Sequence, residues 1–285
     1  MKKLKRKFKK LALRLDAYLN AQMFYAKRAC KKALLASVEV TALTIKLVAF
    51  AVITSLCFIF AEKAHNKYIE KKVGSQVLFI KAMPDNPAQG SATGFEVVAK
   101  SGKTYILTNA HVCGLKDKDN LVSVQNKLHS GRFIPRRVIE IYAHNDLCLV
   151  EGFEGYPGLK LGEAPSVSDN VIAIGYPMGE ALNISRGRIK AYTTVEIIAE
   201  DIPIAECHGD RLRTKRISVW FFDETVCMRS YKAIASDVPI YPGNSGSPIV
   251  DMWGNVVAVA FASDGFTHWG VLVPFKDIQK FLEAY

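Results

Sequence analysis

Three short segments of this 285-residue chain carry residue types that can move a proton and attack a carbonyl carbon. Gly243-Asn244-Ser245-Gly246-Ser247-Pro248 sets a serine among glycines, between two apolar strand-like stretches. Such a sequence suits a tight turn that exposes the hydroxyl. Gly243 has no Cβ, so its backbone N–H can point with that of Ser245 at one place, as an oxyanion requires. In Thr108-Asn109-Ala110-His111-Val112 a histidine ends the apolar run Tyr105-Ile106-Leu107, and in His144-Asn145-Asp146-Leu147 an aspartate stands at the mouth of another apolar strand. Brought together, Asp146 would accept the Nδ1–H of His111 and fix its tautomer, leaving Nε2 to take the proton of Ser245. Singly the segments mean little, because Gly-Ser turns are common and a lone histidine or strand-mouth aspartate is usually structural.

The elements that must position these residues read as β. Gln76–Lys81, Gly94–Val98, Thr104–Leu107, Arg136–Tyr142, Leu147–Glu151, Asn170–Ile174 and Arg188–Ile198 are rich in Val, Ile, Tyr, Thr and Phe. So are Ile217–Phe222, Pro248–Val250, Val256–Phe261 and Gly270–Val273, and Gly, Pro, Asn or Asp interrupts many of the gaps. About a dozen short strands in ~200 residues predict an all-β sandwich or a pair of barrels rather than alternating βα units. Phe275, Ile278, Phe281 and Leu282 follow Pro274 at helical spacing and predict a short closing helix.

In chain order, His…Asp…Ser resembles chymotrypsin-like enzymes. The segments TNAHV, NDLCLV and GNSGSP are similar to motifs of the HtrA/Deg-type serine proteases. Further similarity lies in Gly90–Phe95, Val171–Gly179, Ser185–Ile189, Asp251–Asn255 and Gly270–Pro274, so the likeness runs over roughly residues 75–283. The resemblance implies an all-β, chymotrypsin-like double β-barrel, a nucleophilic Ser245, a His111 base and an orienting Asp146. It also implies an oxyanion hole from the Gly243 and Ser245 amides. Pro239, Ile240, Val259, Ala260 and Phe261 would border the primary substrate pocket. None of them is acidic, which predicts a small or medium apolar side chain there rather than Lys or Arg. Asn244 stands where many zymogens use an aspartate to bind a newly cut N-terminus, so activation by N-terminal cleavage is not expected. Ser247 replaces a common glycine and is expected to stiffen or narrow the site. Glu200–Asp237 is longer than the family's usual connection, a lid, a docking loop or a solvated excursion. The family's PDZ domain does not follow within this sequence, and the resemblance leaves a homo-trimer open.

Charge and hydropathy add a second region. Residues 1–32 hold twelve Lys or Arg against one acid, Asp16, so the net charge of +11 resides there and the rest sums to zero. Charge so confined argues against nucleic acid as a partner of the body of the chain. Leu47–Ala61 is uncharged, and reaching back to Thr41 gives twenty-one residues with only Lys46 charged. A helix of that length covers roughly 30 Å, the thickness of a bilayer core. The expected domains are a basic amphipathic tail over 1–40, a transmembrane signal anchor over 41–61, a short polar link over 62–74 and a protease-like domain over 75–285. The basic side should stay cytoplasmic, with the domain exported and the tail and anchor touching lipid. Organellar targeting is an alternative reading of the same tail.

Among six cysteines, Cys207 and Cys227 are the disulfide candidates, while Cys113 and Cys148 sit in apolar settings and read as small buried hydrophobes. No Cys/His spacing predicts a metal, and no cofactor is expected. The predicted function is a membrane-anchored serine endopeptidase acting on unfolded or exposed segments of exported proteins. The competing prediction is a catalytically silent protease fold serving as a tethered binding module.

Overall fold

A computed structural model describes residues 2–81, 90–114, 121–125, 131–199, 202–219, 222–263 and 269–285. The chain divides into two compact units, Met1–His65 and Asn66–Tyr285.

The first unit is helical. Helix α1 runs over Lys2–Val73. Within it begins a segment, Leu43–Gln76, long and apolar enough by composition to cross a membrane. Val48, Phe50, Ile53, Phe58 and Phe60 are all exposed. The stretch expected as a polar link is instead helical as far as Val73. Ile69 and Val73, one turn apart on the same face, are fully buried in the core of the second unit.

In the second unit, strands β1 (Val77–Lys81), β2 (Ser91–Val98), β3 (Thr104–Thr108), β4 (Leu121–Gln125), β5 (Phe133–Tyr142) and β6 (Leu147–Glu151) close a barrel in the order β1-β2-β3-β6-β5-β4. A second sheet holds β7 (Asn170–Gly175), β8 (Asn183–Ile198), β9 (Leu212–Val219), β10 (Phe222–Pro239), β11 (Pro248–Val250), β12 (Val256–Ser263) and β13 (Trp269–Pro274). Its order is β13-β12-β11-β7-β8-β10-β9, and β10 also pairs with β13, so all but β9 form a closed ring. Helix α3 (Phe275–Leu282) closes the unit, burying Phe275, Ile278, Phe281 and Leu282 as its spacing requires. The architecture is therefore the expected pair of β-barrels.

Within the stretch from about 200 to 237, the described residues form a β-hairpin whose outer part is largely exposed to solvent. β9 and the first half of β10 pair as a hairpin from Phe222↔Val219 to Arg229↔Leu212, and the second half of β10 pairs with β8. Cys207 and Cys227 are bridged at its base.

Candidate active site

His111 lies in the one-turn helix α2 (Ala110–Cys113), directly after β3. Asp146 follows the 3-10 turn Ala143–Asn145 and opens β6. It takes a left-handed backbone conformation, φ 51°, which a short polar side chain tolerates better than a branched one. Because β3 pairs with β6 in the register Thr108↔Cys148, the residues following one strand meet those preceding the other. The Asp146 carboxylate then accepts two bonds from His111: Nδ1–H at 2.7 Å to Oδ2 and the backbone N–H at 2.9 Å to Oδ1. Asn109 completes the join by donating its Nδ2 to the Asp146 carbonyl at 2.9 Å.

Asp146 is only 2% exposed, whereas 37% of the His111 side chain is open. Burial works against an imidazolium here and is the largest single influence. The Asp146 charge and its hydrogen bond together outweigh it, so the His111 pKa is held above its ordinary value. Fixed by an ionised partner at Nδ1, the ring presents Nε2 as a proton acceptor.

The same strand pairing brings Cys113 against Cys148, and the two form a disulfide. Reading them as small buried hydrophobes recognised their burial but missed their pairing. Cys113 projects from the turn after β3 over the start of β6, a proximity created by tertiary register and absent from local sequence.

Ser245 sits in the turn between β10 and β11, at the seam where the two barrels meet. Thr93 of β2, fully buried, stitches that seam. Its N–H donates to the Ser245 carbonyl at 2.8 Å, its hydroxyl donates to the Gly243 carbonyl at 2.8 Å, and its carbonyl accepts the Thr108 hydroxyl at 2.8 Å. Gly246 N–H bonds the Ala260 carbonyl at 2.9 Å, placing the serine turn beside Phe261, whose ring lies 6.4 Å from that of His111. In this conformation, among the described residues, Ser245 Oγ makes no hydrogen bond to the His111 ring. Such bonds commonly tighten only when substrate is bound.

Gly243 has φ +94°, and a Cβ there would lie 2.5 Å from the Tyr176 carbonyl oxygen. Only glycine fits. Met178, itself at φ 55°, donates its N–H to the Pro242 carbonyl at 2.6 Å. Since the peptide is planar and trans, anchoring that carbonyl on Met178 turns the Gly243 N–H the opposite way. Ser247 is fully buried and packed inward, where a Cβ on Gly175 would lie 2.0 Å from its Oγ.

Of the residues expected to border the substrate pocket, Ile240, Val259 and Ala260 are buried in the barrel cores, Pro239 is half-buried, and Phe261 faces His111. Among the described residues no cluster of metal-ligating side chains exists. Thr93, Thr108, Asn109 and Met178 lie within the motif segments, but sequence reasoning assigned them no positioning role, since each acts through a contact with distant backbone.

Curated relatives agree with the fold. The chain is 29% identical over 205 residues to the putative mitochondrial protease Do-like 3 of Arabidopsis thaliana, covering 69% of this chain and 30% of that one. It is 23% identical over 212 residues to the serine protease Do-like HtrA of Bacillus subtilis, covering 70% and 40%. The chain thus spans less than half the length of these relatives. The crystal structure of the Rv3671c protease from M. tuberculosis, active form, superposes with a TM-score of 0.55 at 18% identity, covering 75% of this chain and 82% of that one. The family model for the trypsin-like peptidase domain matches residues 92–259, more than half of the sequence, and the chain belongs to that family, with HtrA/Do-like proteases among its homologues.

Proposed function

We propose that the protein is a membrane-anchored serine endopeptidase in which Ser245 attacks the peptide carbonyl, His111 serves as base and then acid, and Asp146 orients and charges the ring. The observation that carries this reading is the two-pronged bond from His111 to a buried Asp146, set at the seam that holds the Ser245 turn. In the first step Ser245 Oγ bonds to the carbonyl carbon while its proton passes to His111 Nε2. The oxyanion is held by the Gly243 and Ser245 N–H groups. Collapse expels the amine, protonated by the imidazolium, and leaves an acyl-enzyme; water, deprotonated by the same ring, then releases the acid. No cofactor enters these steps.

Pro239, Ile240, Val259, Ala260 and Phe261 border the primary pocket in this reading, and the absence of an acid among them favours a small or medium apolar side chain. The exposed apolar stretch of α1 supports an anchor, with the basic tail on the cytoplasmic leaflet and the barrels on the exported side. Substrates are then unfolded or exposed segments of exported polypeptides, with lipid the other partner.

The test is cleavage of a denatured protein by the full chain in neutral detergent micelles. Wild type should release fragments and Ser245→Ala should not. Equal release by both would remove Ser245 from the chemistry, and no release by either would favour a tethered binding module.

A further inference from the structure

Asp146 holds a left-handed backbone, φ 51°, which a residue other than glycine keeps only where its surroundings fix it. Asn109 and His111, both just after β3, hold its carbonyl and its carboxylate from one side. The turn leading into it is held from the other. Arg211 reaches across from the insertion, and its Nη1 donates to the His144 carbonyl at 2.8 Å and to Asn145 Oδ1 at 3.3 Å. His144 and Asn145 directly precede Asp146, and Asn145 is buried. One nitrogen thus grips two consecutive residues of the 3-10 turn, through a main-chain and a side-chain oxygen.

A long side chain can steady a turn only if its own backbone is held. Arg211 lies directly before β9, its carbonyl accepts the Ser230 N–H at 2.8 Å, and Leu212 pairs with Arg229. Cys227 is bridged to Cys207, and its carbonyl accepts the Ala199 N–H at 2.7 Å. From Met228 onward the same strand pairs with β8. The guanidinium is therefore fastened to the sheet whose β10–β11 turn carries Ser245, while the turn it grips belongs to the first barrel. Thr93 ties the serine turn to the first barrel, and Arg211 ties the aspartate turn to the second.

We propose that Arg211 is a positioning residue of the catalytic centre, and that the insertion hairpin is a brace holding the Asp146 turn in register with the barrel that carries Ser245. This rests on the endopeptidase reading and gives the insertion a task within it. Arg211 touches no reacting atom. It acts through Asp146, and through Asp146 on His111.

The test uses the full chain in neutral detergent micelles and a fluorogenic peptide. Arg211→Ala should lower kcat by roughly ten- to hundredfold, the scale of a slightly misplaced catalytic group, with KM changed by less than about twofold. Arg211→Lys keeps the charge without the planar fork and should recover part of the loss. Arg213→Ala removes a neighbouring exposed cation that pairs with Glu196, and should leave kcat within about twofold of wild type. The pH profile separates bracing from charge. Removing a cation would by itself raise the pKa of an imidazole nearby. Loosening Asp146 would lower it, because the Asp146 charge and hydrogen bond hold the His111 pKa up. The midpoint of kcat/KM in Arg211→Ala should therefore move down. The same downward shift should appear without turnover in the Ser245→Ala background, followed by NMR of the ring signal that His111→Gln removes. That shift together with no cleavage by wild type would sink the catalytic reading and keep the brace. Undiminished kcat in Arg211→Ala, or a fall in kcat with the His111 midpoint unmoved or raised, would overturn the brace.

Discussion

The Thr93 hydroxyl donates to the Gly243 carbonyl at 2.8 Å, across the seam between the two barrels. The same oxygen accepts the Tyr176 N–H at 3.0 Å, so one buried side chain couples the first barrel both to the Gly243 turn and to the segment that follows β7. Thr93→Val keeps the shape and removes the hydroxyl, leaving a buried carbonyl and a buried N–H unpaired. Stability should fall by about 1–3 kcal/mol in urea titrations. The kcat should fall by roughly tenfold with KM nearly unchanged, and Thr93→Ser should restore most of it.

Gly243→Ala introduces a Cβ at φ +94° and 2.5 Å from the Tyr176 carbonyl. The turn must rotate, and the N–H leaves the cleft. A loss of about 10²–10³ in kcat is expected from steady-state kinetics, far more than a stability change of roughly 1–3 kcal/mol would produce.

The pH profile follows from His111. A base must be neutral, and the Asp146 partnership holds its pKa above 6.5, so kcat/KM should rise with pH through a midpoint above that value. Asp146→Asn removes the raising influence and leaves burial, so the midpoint should move down while kcat drops by a factor on the order of 10⁴. For stability the sign is opposite. The contribution of the raised His111 is present below pH 6.5 and is lost as pH climbs through its folded value.

Glu96 gives a second pH signature, remote from catalysis. Its carboxyl is fully buried, and burial raises its pKa from 4.5 to about 7 despite an acceptor bond from the Phe153 N–H at 3.2 Å and the nearby Arg136 charge. The unfolded chain loses this proton first, so stability should decline as pH rises from 4.5 to about 7 and then level off. The decline should be of order 2 kcal/mol after allowance for residual solvation. Glu96→Gln should flatten it, read as the melting midpoint against pH.

Cys113 and Cys148 close a 35-residue separation between the segments bearing His111 and Asp146. Replacing both with alanine should lower stability by about 2–4 kcal/mol. Because Asn109 and the carboxylate still join the two segments, kcat should change by less than about threefold at temperatures where the protein stays folded.

The sequence was most informative where chemistry needs a fixed residue type in a fixed turn. Ser245 with Gly243, His111 after an apolar strand, and Asp146 before one could all be seen, as could the alternating strands and the helix ending in Leu282. What stayed hidden depends on partners far away in the chain. β4 is only five residues long, with two buried valines, and the first half of β10 carries charged residues on a hairpin. The helical continuation to Val73 depends on Ile69 and Val73 finding a core supplied by distant strands. The Cys113–Cys148 bridge and the Thr93 hub arise from register between β2, β3 and β6, which no local pattern encodes.

The central claim is that Ser245 is a nucleophile activated by a His111 bound to Asp146. It is tested most directly by reacting the full chain with a fluorophosphonate and mapping the adduct by peptide mass spectrometry. The account predicts one adduct, on Ser245, absent in Ser245→Ala and formed at least a hundredfold more slowly, as an order of magnitude, in His111→Ala. An adduct on another residue, or one on Ser245 that forms as fast without the imidazole, would contradict it.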